Sequence, residues 1–298
     1  MFQPLRYIHK ESEKEWALEW ILALLTLENH NTTPEEKGAI VVALKNLSTL
    51  SEERRTISAL LLMIQNKKIQ DILKPYTKDE KGGIYGQYFD NNKDDINDSN
   101  LWQVFEMENI FDSKMLIPML LYLFHRLETE LFPNETTKQE NIIPTFLFLD
   151  ECWMMLDNPI FSSMMKSWLK TLRKKNVSVI MATQSLSDVS KSSIKDVIME
   201  SCLTKIYLPS PQIANNPNLY LEFGLNEREI SLLIEGTLKR DYLIQSDGGK
   251  MIQLALTPLE LAYVGASSPD DQSKCEKLYK ESKDLDEFNE KWKEYKGV

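Results

Sequence analysis

The 298-residue chain holds three cysteines, three histidines and ten glycines, and each scarcity excludes something. Cys152, Cys202 and Cys275 have no CxxC spacing, so they read as reduced, buried thiols rather than a disulfide framework or a zinc site. His9, His30 and His125 lie far apart, which leaves little material for a histidine triad or metal centre. His125, within "LYLFHRLE", reads as a helix-face residue. Basic residues are outnumbered 35 to 45 by acidic ones, a net charge of −10, so an extended basic nucleic-acid footprint is not indicated, while local basic patches stay compatible with the composition. No apolar run reaches the ~18 residues of a membrane span. The best, "MLIPMLLYLF" at 115–124, is short and carries Pro118. The N-terminus lacks the apolar core of a signal peptide, and the expected compartment is the cytoplasm. The phosphate-loop pattern G-x-x-x-x-G-K-[ST] occurs nowhere, and Lys250 after Gly248 and Gly249 does not satisfy it.

What is present is ample apolar material, 42% of the chain, in two kinds of pattern. Residues 1–77 read as a helical subdomain: Ile57, Leu60, Leu61 and Ile64 fall at helical spacing, and Pro34 suits a first helical turn. Residues 78–143 read as a connection: a Gly/Asn/Asp-rich loop or ordered turn region over 78–100, a strand "LWQVFEME", a helix over 114–131 and a polar link. Over 144–265 strands and helices alternate, which predicts an α/β domain with a parallel sheet. Phe161, Met164, Met165, Trp168, Leu169 and Leu172 mark one face of a helix introduced by Asp157-Asn158-Pro159. Asp247-Gly248-Gly249 predicts a hairpin turn. Residues 266–298 read as a helical tail.

One stretch joins core to chemistry. "FLFLDECW", 146–153, is a buried-strand run ending in two adjacent carboxylates, Asp150 and Glu151. Acids at the C-terminal end of such a strand sit where open α/β sheets bind ligands. A second strand, "SVIMATQS", ends in Thr183, Gln184 and Ser185 about one βαβ unit later, and parallel strands bring such ends to one crevice. A carboxylate there can hold Mg²⁺ through water, a second can activate water, and a neutral amide can hydrogen-bond a phosphate oxygen or the attacking water.

The run "PTFLFLDECWMMLDNPIFSSMMKSWLKTLRKKNVSVIMATQSLSDV", with "YLEFGLNEREI", "KRDYLIQS" and "LAYVGASSPDDQ", resembles the C-terminal ATPase domain of type IV secretion and conjugative transfer ATPases. These are the TrbE/CagE/VirB class of the HerA/FtsK-like P-loop NTPases. "EWALEWILALL", "SEERRTISALLLMI" and "LLYLFHRLE" extend the likeness over nearly the whole chain. The resemblance implies a RecA-like sheet with flanking helices, ATP and Mg²⁺ as ligands, and Asp150 and Glu151 as Walker B acids. Gln184 matches the glutamine of the next strand. Arg173 in "TLRKKN" matches a basic residue acting on a neighbouring subunit's nucleotide, with Arg240 in "KRDY" a second candidate. A cationic cluster at a helix C-terminus is also favourable to the helix dipole alone. Implied partners are other secretion components, further copies of the chain in a hexamer, and the cytoplasmic side of the inner membrane through those partners. The family carries its Walker A strand and loop upstream of the segment matched here, so the expectation is a sheet without its P-loop strand, completed by a missing segment or subunit. Two other readings stay open: a DNA-translocating motor of the same group, and a non-catalytic remnant or interaction module.

Overall fold

Helix α1 (Glu11–Leu27) starts the chain's helical region and buries Ala17, Trp20, Ile21, Leu24 and Leu25. The computed structural model describes residues 2–78, 83–96, 101–107, 110, 113–131, 144–152, 156 and 159–298, with backbone alone at 131 and 160. Helix α2 (Pro34–Leu47) begins with Pro34 in its first turn, behind a Thr33–Glu36 capping box that satisfies two otherwise free backbone donors. The helical spacing of Ile57, Leu60, Leu61 and Ile64 lies within "SEERRTISALLLMIQ", and this segment is split rather than one helix. Residues Glu52–Arg54 form a 3₁₀ turn, and α3 (Ile57–Met63) starts afresh behind Thr56, whose side chain accepts from the Ala59 N–H. Ile57, Leu60 and Ile64 are nevertheless buried together. Helix α4 (Lys67–Leu73) follows, and α5 (Gly86–Phe89) lies within the Gly/Asn/Asp-rich stretch. That stretch is tied down by the buried Asp90 carboxylate, which accepts from the backbone N–H groups of Ser58 and Lys78 at 3.0 and 2.7 Å.

Residues 101–107 are not a strand. Phe105 and Met107 turn towards the helical core while Trp102 and Val104 stay exposed, an alternation proper to a strand, but no described segment pairs with it. Position 108 lies outside the described residues. Helix α6 (Leu116–Arg126) is apolar on two sides. Met119, Tyr122 and Leu123 complete a buried cluster that runs from Leu5 to Leu123, and the Trp20 indole N–H donates to Pro118 O at 3.1 Å. Phe124 instead packs on Phe161 and Trp168, at centroid distances of 5.5 and 4.7 Å. A π-helical turn, Leu127–Leu131, ends the segment.

Strand β1 (Thr145–Leu149) pairs in parallel with β2 (Val177–Met181), and α7 (Pro159–Thr171) lies between them in sequence. The predicted α7 face holds: Phe161, Met165, Trp168 and Leu172 are buried and Met164 and Leu169 half-buried. Its predicted cap, Asp157-Asn158, lies outside the described residues, and Pro159 opens the helix. Helix α8 (Leu186–Lys191) follows β2.

The chain divides into two compact units, Met1–Ile194 and Lys195–Val298. In the second, α9 (Lys195–Ser201) precedes β3 (Lys205–Tyr207), then come α10 (Pro217–Glu222) and α11 (Glu227–Glu235). Strands β4 (Asp241–Ser246) and β5 (Gly248–Gln253) join β3 in the order β3–β4–β5, all antiparallel. The parallel sheet predicted for 144–265 is thus limited to β1–β2 among the described residues, because β3 takes the β4–β5 hairpin as its partner. The hairpin turns at Asp247 as predicted, with Ser246 paired to Gly248. A side chain at Gly249 would overlap the Glu229 carboxylate, so the second glycine of "DGGK" serves a close approach within the fold. Helices α12 (Pro258–Val264), α13 (Pro269–Glu281) and α14 (Leu285–Lys296) end the chain, with the Trp292 indole N–H donating to Ala262 O at 3.1 Å. Of the cysteines, Cys152 is buried while Cys202 and Cys275 are only half-buried, and all three are free. Among the described residues no helix is long and apolar enough to cross a membrane.

Candidate functional site

The site is built where two parallel strands end side by side. The β1–β2 register runs from Thr145 opposite Val177 to Leu149 opposite Met181. It continues past the strand ends: the Ala182 N–H donates to Leu149 O at 2.9 Å, and the Cys152 N–H to Ala182 O at 3.2 Å. Asp150 and Glu151 occupy the turn enclosed by these two bonds. The Glu151 N–H donates to Asp150 Oδ1 at 3.0 Å. Glu151 itself sits in the left-handed region, φ 49°, uncommon for a residue with a side chain.

The second strand end supplies the amide. Gln184 is exposed, and its Nε2 donates to Glu151 Oε1. Ser185 then caps α8 by accepting from the Ser187 N–H at 3.2 Å. Asp150, Glu151 and Gln184 are therefore grouped at one end of the strand pair. What this set can do chemically is offer hard oxygen donors and one neutral donor to a solvent-facing ligand. No group of three or more His, Cys, Asp or Glu side chains among the described residues can hold a metal by itself. The acids nevertheless suit Mg²⁺, which keeps several waters and takes one or two carboxylates together with substrate phosphates. The sequence contains no G-x-x-x-x-G-K-[ST], the pattern whose backbone N–H groups and lysine cradle phosphates.

Arg173 stands apart from these strand ends, and Arg240 belongs to the other unit. Arg173 lies in the 3₁₀ turn Leu172–Lys175, exposed, at the N-terminal end of β2 and so at the opposite end of that strand from Gln184. Asn176, at φ 55°, makes the left-handed turn that lets the chain enter β2. Arg240 belongs to the second unit, exposed in the turn before β4, where its carbonyl accepts from the Leu254 N–H at 2.7 Å.

A second cluster of charged groups escaped the sequence reading. His125 stacks on Trp16 at 4.1 Å, and its Nε2 is 3.0 Å from Glu13 Oε2. Next to it the buried Arg126 guanidinium pairs with Glu130 and lies 4.5 Å from the Tyr7 ring centre, while the Tyr122 hydroxyl donates to Asp94. Burial raises the Glu13 carboxyl, but the hydrogen bond from His125 and the positive charges of His125, Arg126 and Lys10 outweigh it, and the net shift is downward. The sequence signal was slight: only the i,i+4 spacing of Arg126 and Glu130 marks the pair. His125, through Glu13 and Trp16, fastens α6 to α1.

Comparison with known proteins follows the same outline. The family model of the TraG P-loop domain matches residues 63–241. The chain is 35% identical over 286 residues to a probable conjugal transfer protein TrbE of Sinorhizobium fredii, covering 94% of this chain and 41% of that protein. It is 36% identical over 287 residues to "Conjugal transfer protein TrbE" of Rhizobium radiobacter, covering 94% and 33%. With "Type IV secretion system protein virB4" of Bartonella henselae the identity is 32% over 234 residues, 78% of this chain and 28% of that one. The solved VirB4 of Thermoanaerobacter pseudethanolicus shares the fold, with a TM-score of 0.57 at 16% identity over 88% of this chain and 75% of that one. The chain thus spans less than half the length of these curated relatives. Together these findings place it, with its mixed α/β fold, in the TraG P-loop domain family.

Proposed function

We propose that these residues are the C-terminal ATPase portion of a protein that energises type IV secretion or conjugative transfer. The observation that carries the reading is the side-by-side ends of β1 and β2, where two adjacent carboxylates meet a glutamine amide. In this reading Asp150 would hold Mg²⁺ through water, and that site would supply charge neutralisation at the phosphates when the ion is bound. Glu151 takes the proton of the attacking water, and Gln184 orients that water. ATP and Mg²⁺ are thus the ligands proposed.

The uncovered sheet supports a further element of the proposal. Parallel strands are ordinarily covered on both faces. Here Phe146, Phe148 and Ile180 share one face of β1–β2 and are 61, 59 and 43% exposed, and neither outer edge of the pair is bonded to another described strand. The relatives' greater length provides material to complete such a sheet. We therefore assign the phosphate cradle to a P-loop-bearing segment or subunit outside these 298 residues, with the whole working as a homo-oligomer beside other secretion components at the inner membrane. Arg173 is the proposed trans-acting residue, supported by its exposure at the far end of β2. Arg240 is the second candidate.

The test is Glu151→Gln in a protein that carries both this segment and the P-loop-bearing one. Nucleotide binding is retained, and phosphate release slows at least ~100-fold, the scale general-base catalysis supplies. Turnover near the parent's would contradict the assignment.

A further inference from the structure

We propose that a second copy of this chain docks on a stripe of three lysines, Lys166, Lys170 and Lys174, along the outer side of α7 and the 3₁₀ turn that continues it. The docked copy presents the acidic stripe of its α14, Asp286, Glu290 and Glu294. The inference rests on the homo-oligomer proposed above and names the surfaces that join neighbouring copies.

The basic stripe stands out against an acidic chain. Residues 159–187 hold five lysines and arginines and no aspartate or glutamate, in a chain of net charge −10. Phe161, Met165 and Trp168 are buried on one side of α7, which turns Lys166 and Lys170 to the exposed side, and Lys174 follows four residues on. Ser163, Ser167 and Thr171 share that exposed side, so the ridge is cationic and hydroxyl-bearing throughout. Several lysines elsewhere are matched by acids: Lys37 by Glu19, Lys67 by Asp71, Lys195 by Glu222. Lys166, Lys170 and Lys174 make no ion pair among the described residues, while the neighbouring Lys175 meets Glu128 at 3.9 Å.

The acidic stripe has the same spacing. In α14, Phe288 and Trp292 stack at 6.2 Å and the Trp292 indole is bonded to Ala262 O, so this side of the helix is turned into the fold. Asp286, Glu290 and Glu294 lie on the opposite side, each exposed. Asp286 and Glu294 make no ion pair among the described residues. Glu290 pairs with Lys293 at 2.6 Å, but its side chain is 77% exposed, and such a surface pair is exchanged at little cost. Four residues of helix rise about 6 Å, so the two stripes carry charge at one interval and can lie along each other with opposite signs in register. Either stripe laid on its own copy would set like charges together. The complementary contact is therefore heterologous, head to tail, the kind that closes into a ring where the rotation permits.

The test measures self-association by analytical ultracentrifugation, in the protein carrying both this segment and the P-loop-bearing one. One variant combines Lys166→Glu, Lys170→Glu and Lys174→Glu; the other combines Asp286→Lys, Glu290→Lys and Glu294→Lys. Each alone is expected to associate at least about tenfold more weakly than the parent, because like charges then face each other across the contact. Mixing the two variants restores association in alternating assemblies, since the reversed α7 of one meets the reversed α14 of the other. A misfolded variant is not rescued in this way, and in both variants the 298-residue segment stays net negative, so bulk attraction does not imitate the rescue. Where circular dichroism shows that a triple variant does not fold, Lys170→Glu and Glu290→Lys repeat the exchange with single reversals. Association unchanged in either variant, or no rescue on mixing, overturns the inference and leaves the homo-oligomer to other surfaces. A parent protein that stays monomeric overturns both.

Discussion

The helical region up to α6 and the β1–β2 pair handle the same apolar chemistry in opposite ways. In the helical region Leu5, Ile8, Trp20, Leu24, Ile40, Leu60 and Tyr122 are at most 1% exposed and close on one another in a single cluster. In the strand pair, Phe146 and Phe148 alternate outwards and stay mostly in solvent. Both are rich in large apolar side chains, so composition does not separate them. Connectivity does: α1, α2, α3, α4 and α6 come from one contiguous stretch and cover one another, whereas a parallel strand depends on partners from elsewhere in the chain. The first region closes most of its apolar surface on itself, and the second belongs to a larger sheet in the proposed account.

The largest expected difference between them comes from the core. Trp20→Ala removes a buried indole and its bond to Pro118 O, and is expected to destabilise the helical region by about 3–5 kcal/mol, as large aromatic truncations in cores do. Denaturant unfolding followed by circular dichroism reads this, and a loss below about 1 kcal/mol would show the region to be loosely packed.

Next in size is the acid response of the α1–α6 fastening. The Glu13 carboxyl is held below its ordinary 4.5 in the fold. A depressed carboxyl contributes stability that is present above the unfolded value and is lost as pH falls through the folded one. Stability of the helical region should therefore fall as pH drops below about 4.5, and Glu13→Gln should flatten that fall. Unfolding midpoints measured across this range test it, and an unchanged slope in Glu13→Gln would remove Glu13 from the account.

The smallest effect belongs to the uncovered face. Phe148→Ser in the 298-residue chain should change stability by no more than about 0.5 kcal/mol, since the side chain is already exposed. In the completed protein the same change should cost more, about 2 kcal/mol or above, once a covering segment buries the ring. Equal effects in the two contexts would mean that nothing covers this face.

The sequence disclosed these regions unevenly. The α7 face and the "FLFLDE" and "SVIMATQ" strand ends were readable because periodicity and a break in polarity are local signals. The meeting of Glu151 with Gln184 was readable one step further, because parallel neighbours must align their ends. Residues 101–107 carried a strand's alternation and form no ladder with any described segment, since alternation fixes which side chains face inwards and not whether a partner strand is at hand. The β3–β4–β5 antiparallel set was half legible: Asp247-Gly248-Gly249 announced the hairpin, but nothing local told that β3 would join it. The Tyr122–Asp94 and His125–Glu13 contacts were the least legible, because their partners are far apart in sequence and no spacing signals them.

The central claim is that this chain contributes the hydrolytic acids and that another segment contributes the phosphate cradle. Phosphate release from Mg²⁺-ATP, measured on residues 1–298 alone and again with the P-loop-bearing segment supplied, tests it most directly. The account predicts no hydrolysis above background by the chain alone and Mg²⁺-dependent hydrolysis, sensitive to Glu151→Gln, once the segment is present. Comparable Mg²⁺-dependent hydrolysis by the isolated chain would contradict it.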